Sequence, residues 1–137
     1  MKKSICKPCV LIVDDRLNWR EQLSELLGDE FDVKIYASAE VAEMEIDDID
    51  FDCAVLDVRF ETDRGFDGDV SGLRLLRIIR QKQPGARVIL LTGYPQDVPQ
   101  NLVDLYEPDA FLQKGVSNVT RELKEVLRKI ICKDECT

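Results

Sequence analysis

Val10-Leu11-Ile12-Val13-Asp14-Asp15 is the stretch whose reading decides the fold. Four apolar residues run straight into two adjacent carboxylates. A continuous apolar run without alternation describes a strand buried on both faces, the kind found inside a parallel sheet. Such a strand ends in two acids where negative charge has a use. Adjacent carboxylates repel, and a hard divalent cation such as Mg²⁺ relieves that repulsion. The competing reading is a solvated strand end with Asp15 capping the next helix.

The chain has 137 residues, enough for one domain with a core. Hydrophobic content of 45% with 34% charged residues describes a globular protein. No apolar run has the length of a membrane span. The start, MKKSICKPC, has a basic flank but no apolar segment after it, so a signal peptide is not expected and the cytoplasm is. A net charge of −8 argues against direct nucleic-acid binding, which needs clustered Lys and Arg. There is no histidine, which removes His-activated nucleophiles and a phosphohistidine carrier role.

Outward from the opening strand, apolar runs alternate with amphipathic segments. Residues 1–9 read as a tail, 10–132 as the domain and 133–137 as a second tail. Asp15 or Asn18 is expected to start a helix that Gly28 ends. Val33 to Ala37 reads as a second strand, and Ser38 as the N-cap of a helix to about Ile46. Cys53 to Val58 reads as a third strand, containing Asp57. The polar segment from Arg59 to Ser71 reads as a loop, with Gly72 opening a helix that buries Leu73, Leu76 and Ile79 and leaves Arg74, Arg77 and Arg80 solvated. Arg87 to Thr92 and Asp109 to Lys114 complete five strands, with a short fourth helix over 100–106 between them. A fifth helix runs from Ser117 or Asn118 to about Cys132, burying Val119, Leu123, Val126, Leu127, Ile130 and Ile131. Trp19 is expected to pack rather than bind. Strict alternation of strand and helix predicts an α/β domain with a parallel sheet and right-handed crossovers.

In such a sheet the C-terminal strand ends share one edge, where ligands bind. The polar residues there are Asp14, Asp15, Asp57, Thr92 and Lys114. Acids suit Mg²⁺, while Lys114 and Thr92 suit phosphoryl oxygens. With no His or Cys at this edge, the nucleophile is a carboxylate, and carboxylates form acyl phosphates.

This set, in this order, resembles the receiver domain of two-component response regulators, over about Val10 to Ile131. The resemblance implies a doubly wound, flavodoxin-like fold of strand order 2-1-3-4-5. It implies that Asp57 takes a phosphoryl group from a sensor histidine kinase or phosphotransfer protein. Mg²⁺ would be held by Asp15, Asp57 and the Arg59 backbone carbonyl, with Asp14 acting mainly through water. Lys114 would pair with a phosphoryl oxygen. Thr92 would move toward the phosphoryl group and let Phe111 turn inward, biasing the surface of the fourth helix, fifth strand and fifth helix toward an output partner.

The chain departs from the family's pattern in its long 59–71 loop, in Gly115 where proline is usual and in the large Arg59 and Tyr94, and no output domain is expected within these residues, as in a stand-alone receiver or an excised domain. Arg59 and Tyr94 are expected to shield the phosphoryl group from water. Asp67 to Gly72 opens like a calcium loop, but Ile78 stands where the closing Glu is needed. A phosphatase with an Asp nucleophile needs an acid where Arg16 stands, and DDRLNW lacks the hydroxyls of a flavin phosphate loop. The rival class is a receiver-like interaction module that works without phosphorylation. Cys6, Cys9, Cys132 and Cys136 read either as free thiols in two tails or as a zinc site.

Overall fold

The computed structural model describes residues 7–14, 16–57, 71–92, 107–113 and 119–135, with the main chain alone at 71–73, 92 and 132–135. The strands are β1 (Cys9–Val13), β2 (Asp32–Tyr36), β3 (Cys53–Asp57), β4 (Arg87–Thr92) and β5 (Ala110–Gln113). The helices are α1 (Leu17–Leu27), α2 (Ala39–Glu45), α3 (Ser71–Lys82) and α4 (Val119–Glu135), with one 3-10 turn at Ile46–Asp48. The sheet order is β2-β1-β3-β4-β5, and every pair is parallel. The fourth helix read from the sequence, over 100–106, lies outside the described residues.

The opening strand is central, and Val10, Leu11, Ile12 and Val13 are all buried. Alternation along each strand divides the core into two layers. Leu11, Val13, Ala54, Leu56, Val88 and Leu90 meet Ala42 of α2 and Leu75, Leu76 and Ile79 of α3. Val10, Ile12, Val55, Ile89, Leu91 and Leu112 meet Leu23 and Leu27 of α1 and Leu123 and Leu127 of α4. Both faces of the sheet are thus covered, which is why its strands carry apolar runs rather than alternating patterns.

Local signals place most boundaries. Ser38 is the N-cap of α2, and its Oγ accepts a bond from Val41 N at 3.2 Å. Gly28 closes α1 in right-handed conformation at φ −60°, so the left-handed cap is not what selects it. A Cβ there would stand 2.9 Å from the Ser24 carbonyl oxygen, too close for an unmoved backbone. Trp19 packs partly buried on the α1–α4 layer, as expected.

Several expectations need correction. Strand β1 starts at Cys9, inside the expected tail, because Asp32 N bonds to Pro8 O and Cys9 N to the Asp52 carboxylate, extending the sheet backwards. Helix α4 continues to Glu135, past the boundary drawn at 132. Nothing in LRKIICKDE breaks a helix, and its Lys residues suit a C-terminal turn. The N-cap position of α1 is Arg16 rather than Asn18; the neighbouring Asp14 side chain supplies the turn. On α3, Leu76 and Ile79 are buried as expected and Leu75 with them, while the side chain of Leu73 lies outside the described residues.

Arg80 is not simply a solvated face residue. It donates to the carbonyl oxygens of Ala86 and Glu107 and to Asp109 Oδ2. Asp109 in turn accepts from Val88 N at 2.7 Å. This cluster ties the end of α3 to the starts of β4 and β5. Glu107, in the same cluster, holds φ at +46°, a conformation rare outside glycine.

Candidate phosphoryl-acceptor site

The sheet register sets the acids side by side. Strands β1 and β3 are hydrogen-bonded neighbours, paired up to Val13 and Leu56. One step on are Asp14 and Asp57, and neighbouring strands lie about 4.8 Å apart. Across β3, Asp57 is opposite Leu91 of β4, and Thr92 follows opposite Gln113 of β5. Asp14, Asp57 and Thr92 therefore occupy one edge, as their positions in the sequence imply. Asp15, Arg59, Tyr94, Lys114 and Gly115 lie outside the described residues, as do Phe60 to Val70 of the long loop.

Asp14 is 3% exposed, the single buried charged side chain among the described residues. A carboxylate this buried needs partners, since an unpaired buried charge is costly. Its Oδ1 accepts from Arg16 N at 2.9 Å, a turn in which the side chain bonds two residues ahead. Its own N–H donates to Tyr36 O at 3.1 Å, and its carbonyl oxygen accepts from Arg20 Nη1 at 2.9 Å. Asp57 is half-buried at the last position of β3. Reading the sequence did not single out Arg20. The available signal was its place on α1, six residues after Asp14, where a long cationic side chain can reach back to the strand end.

Phe111 is half-buried and packs against the α2–α3 layer, paired in register with Leu90. It lies two residues before Gln113, the partner of Thr92, so the two positions proposed to move together occupy adjacent strands.

Of the four cysteines the structure describes Cys9 and the main chain of Cys132. Cys9 is half-buried against the α2–α3 layer, whereas α4, which carries Cys132, covers the opposite face. The sheet stands between them because Cys9 has the same strand parity as Leu11 and Val13. Burial first, then the negative charge of Asp32, pushes the Cys9 thiol pKa up. Cys6 and Cys136 lie outside the described residues. No group of three or more metal-ligating side chains occurs among the described residues.

The family model for the response regulator receiver domain matches residues 10–128. The chain belongs to the response regulator receiver domain family. Like other receiver domains it is a phospho-accepting element of two-component signalling, a class that interacts with histidine kinases or phosphotransfer proteins. Solved structures of receivers superpose closely. A CheY-like receiver domain protein from Methanospirillum hungatei is 25% identical, with TM-score 0.75, covering 90% of this chain and 92% of its own. The response regulator TrrA from Thermotoga maritima, in complex with Mg²⁺ and BeF, is 29% identical, with TM-score 0.73 and coverage of 90% and 99%. The BeF₃-activated DrrB receiver domain, from a Thermotoga maritima regulator, is 26% identical, with TM-score 0.69 and coverage of 89% and 98%. No curated protein sequence matches the chain. No helix among the described residues is long and apolar enough to cross a membrane.

Proposed function

We propose that Asp57 is the phosphoryl acceptor and that the acids beside it form a Mg²⁺ site. The observation that carries this is the register that sets Asp57 next to the buried Asp14 at the C-terminal edge of the sheet. The donor set fits a hard divalent cation: carboxylates of Asp14, Asp15 and Asp57 with the main-chain carbonyl of Arg59. Bound there, Mg²⁺ would supply neutralisation of the phosphoryl oxygens. A likeness to a receiver solved with Mg²⁺ and BeF supports the same reading.

An oxygen of Asp57 attacks phosphorus in line while the bond from phosphorus to the donor breaks and the donor leaves with that electron pair. The product is an acyl phosphate. Lys114 pairs with one phosphoryl oxygen and the Thr92 hydroxyl with another, so the chain contributes positioning and charge rather than a proton shuttle. Engagement of Thr92 lets Phe111 turn inward, and the surface of residues 100–106, β5 and α4 becomes the output face. The donor is a cytoplasmic sensor kinase or phosphotransfer protein. Arg59 and Tyr94 shield the product from water, and the working unit is the domain from β1 to α4, Cys9 to Glu135.

Incubation with acetyl phosphate and Mg²⁺ is expected to add one phosphoryl group by intact mass, and Asp57→Asn to abolish it. Full labelling of that variant would reject Asp57 as acceptor. An unlabelled wild-type chain would favour an interaction module that works without phosphorylation.

A further inference from the structure

Asp14 is held at three points, and two of the three are made by residues just after it. Its N–H meets Tyr36 O, its Oδ1 meets Arg16 N, and its carbonyl oxygen meets Arg20 Nη1. The first contact continues the sheet, because β1 and β2 are paired up to Val13 and Tyr36. The second closes the turn into α1. The third joins a helix side chain to the main chain of a strand end, at 2.9 Å and partly shielded from water.

That carbonyl belongs to the peptide unit joining Asp14 to Asp15. A peptide unit is planar, so fixing its oxygen fixes the direction in which the chain leaves Asp14. The guanidinium is a permanent cation, and its bond to the carbonyl is charge-assisted. Its Nη1 is engaged by a main-chain oxygen of the strand end that carries Asp14. Strand ends are where main-chain direction is least constrained by the ladder, and β1 pairs with β3 only as far as Val13.

We infer that Arg20 is a positioning residue for the cation site, holding the Asp14 main chain so that the acids present a preformed set of oxygens. The inference rests on the reading of these acids as Mg²⁺ ligands. Removal of a residue that orients metal ligands costs about tenfold in affinity or more.

The test is a titration of the full chain with MgCl₂ alone, without phosphoryl donor, followed by calorimetry and by the fluorescence of Trp19, the one tryptophan. Arg20→Met keeps the apolar stem and removes the donor. Its affinity for Mg²⁺ is expected to fall about tenfold, with its melting temperature in EDTA close to that of wild type. Arg20→Lys restores a charged donor without the planar fork and is expected to regain part of the affinity, about threefold below wild type. Equal Mg²⁺ affinity in wild type and Arg20→Met overturns the inference and leaves the cation site standing. If Arg20→Met does not hold its fold in EDTA, Arg20→Lys decides: weaker binding supports the inference and equal binding overturns it. A wild-type chain that binds no Mg²⁺ overturns the cation site and the inference with it.

Discussion

The two edges of the sheet use the same residue type for opposite purposes. At the N-terminal edge, Asp52 and Asp109 turn their carboxylates onto main-chain N–H groups at strand starts, Cys9 N at 2.9 Å and Val88 N at 2.7 Å. Asp109 is also answered by Arg80 and Arg87. At the C-terminal edge, Asp14 and Asp57 stand beside each other on neighbouring strands. Carboxylates answered by cations and N–H groups hold a structure together. At the C-terminal edge the Asp14 carboxylate also meets an N–H, that of Arg16, and what sets this edge apart is that acids on neighbouring strands gather there, as a hard cation requires. The difference lies in how many acids share one place, and it predicts different consequences for removing them.

The largest effect is expected at Asp109. Asp109→Ala strips the Val88 N–H of its partner and removes one carboxylate from beside Arg80 and Arg87. Urea unfolding should show a loss of about 3 kcal/mol, the sum of a charged hydrogen bond and an orphaned donor. A loss below a few tenths would mean that this edge is no more anchored than the other. Asp52→Ala removes one bond to a strand start that is more open to solvent, so the same measurement should give about 1 kcal/mol.

The effect is smaller at the other edge. In EDTA, Asp57→Asn should change stability by no more than about 0.5 kcal/mol, since the amide keeps the shape of the carboxylate and relieves like charge on adjacent strands. Added Mg²⁺ should then stabilise the wild type and not the variant. Clear destabilisation of Asp57→Asn in EDTA would erase the contrast between the edges.

The smallest effect belongs to an exposed ion pair between the turn before β2 and α4. Glu30 accepts from Arg128 Nε and Nη2, at 3.0 and 2.9 Å, and lies 3.5 Å from Lys124. The Arg128 bonds, more than its charge or that of Lys124, hold the Glu30 pKa below its ordinary 4.5. A carboxyl lowered on folding stabilises fully above that value, and the contribution is lost as pH falls through the lowered one. Because the group is exposed, Arg128→Ala should cost about 0.3 kcal/mol at pH 7. The difference should vanish in acid and in high salt. A difference that grows on acidification would contradict the assignment.

The sequence alone determined the strands, the sheet and the kind of site. Apolar runs buried on both faces cannot be helices that present a single stripe, and Ser38 marks its helix by a bond three residues ahead. Asp57 and Thr92 were legible because a parallel α/β chain must bring the C-terminal ends of its strands to one edge, whatever the loops do. Tertiary structure alone decided what single residues do at a distance. Arg80 reads as the polar face of an amphipathic helix until β5 arrives beside it, 27 and 29 residues later, with Glu107 and Asp109. Cys9 and Cys132 both lie near chain ends, yet strand parity sends one to the α2–α3 layer while the other rides the helix on the opposite face. Asp14 reads as one of a pair of equal acids, but the turn into α1 buries it and gives Arg20 its carbonyl. Periodicity reports which face a residue takes within its own element. Which partner meets that face is set when the elements pack, and only then does a surface arginine become a tether or a strand-end acid a site.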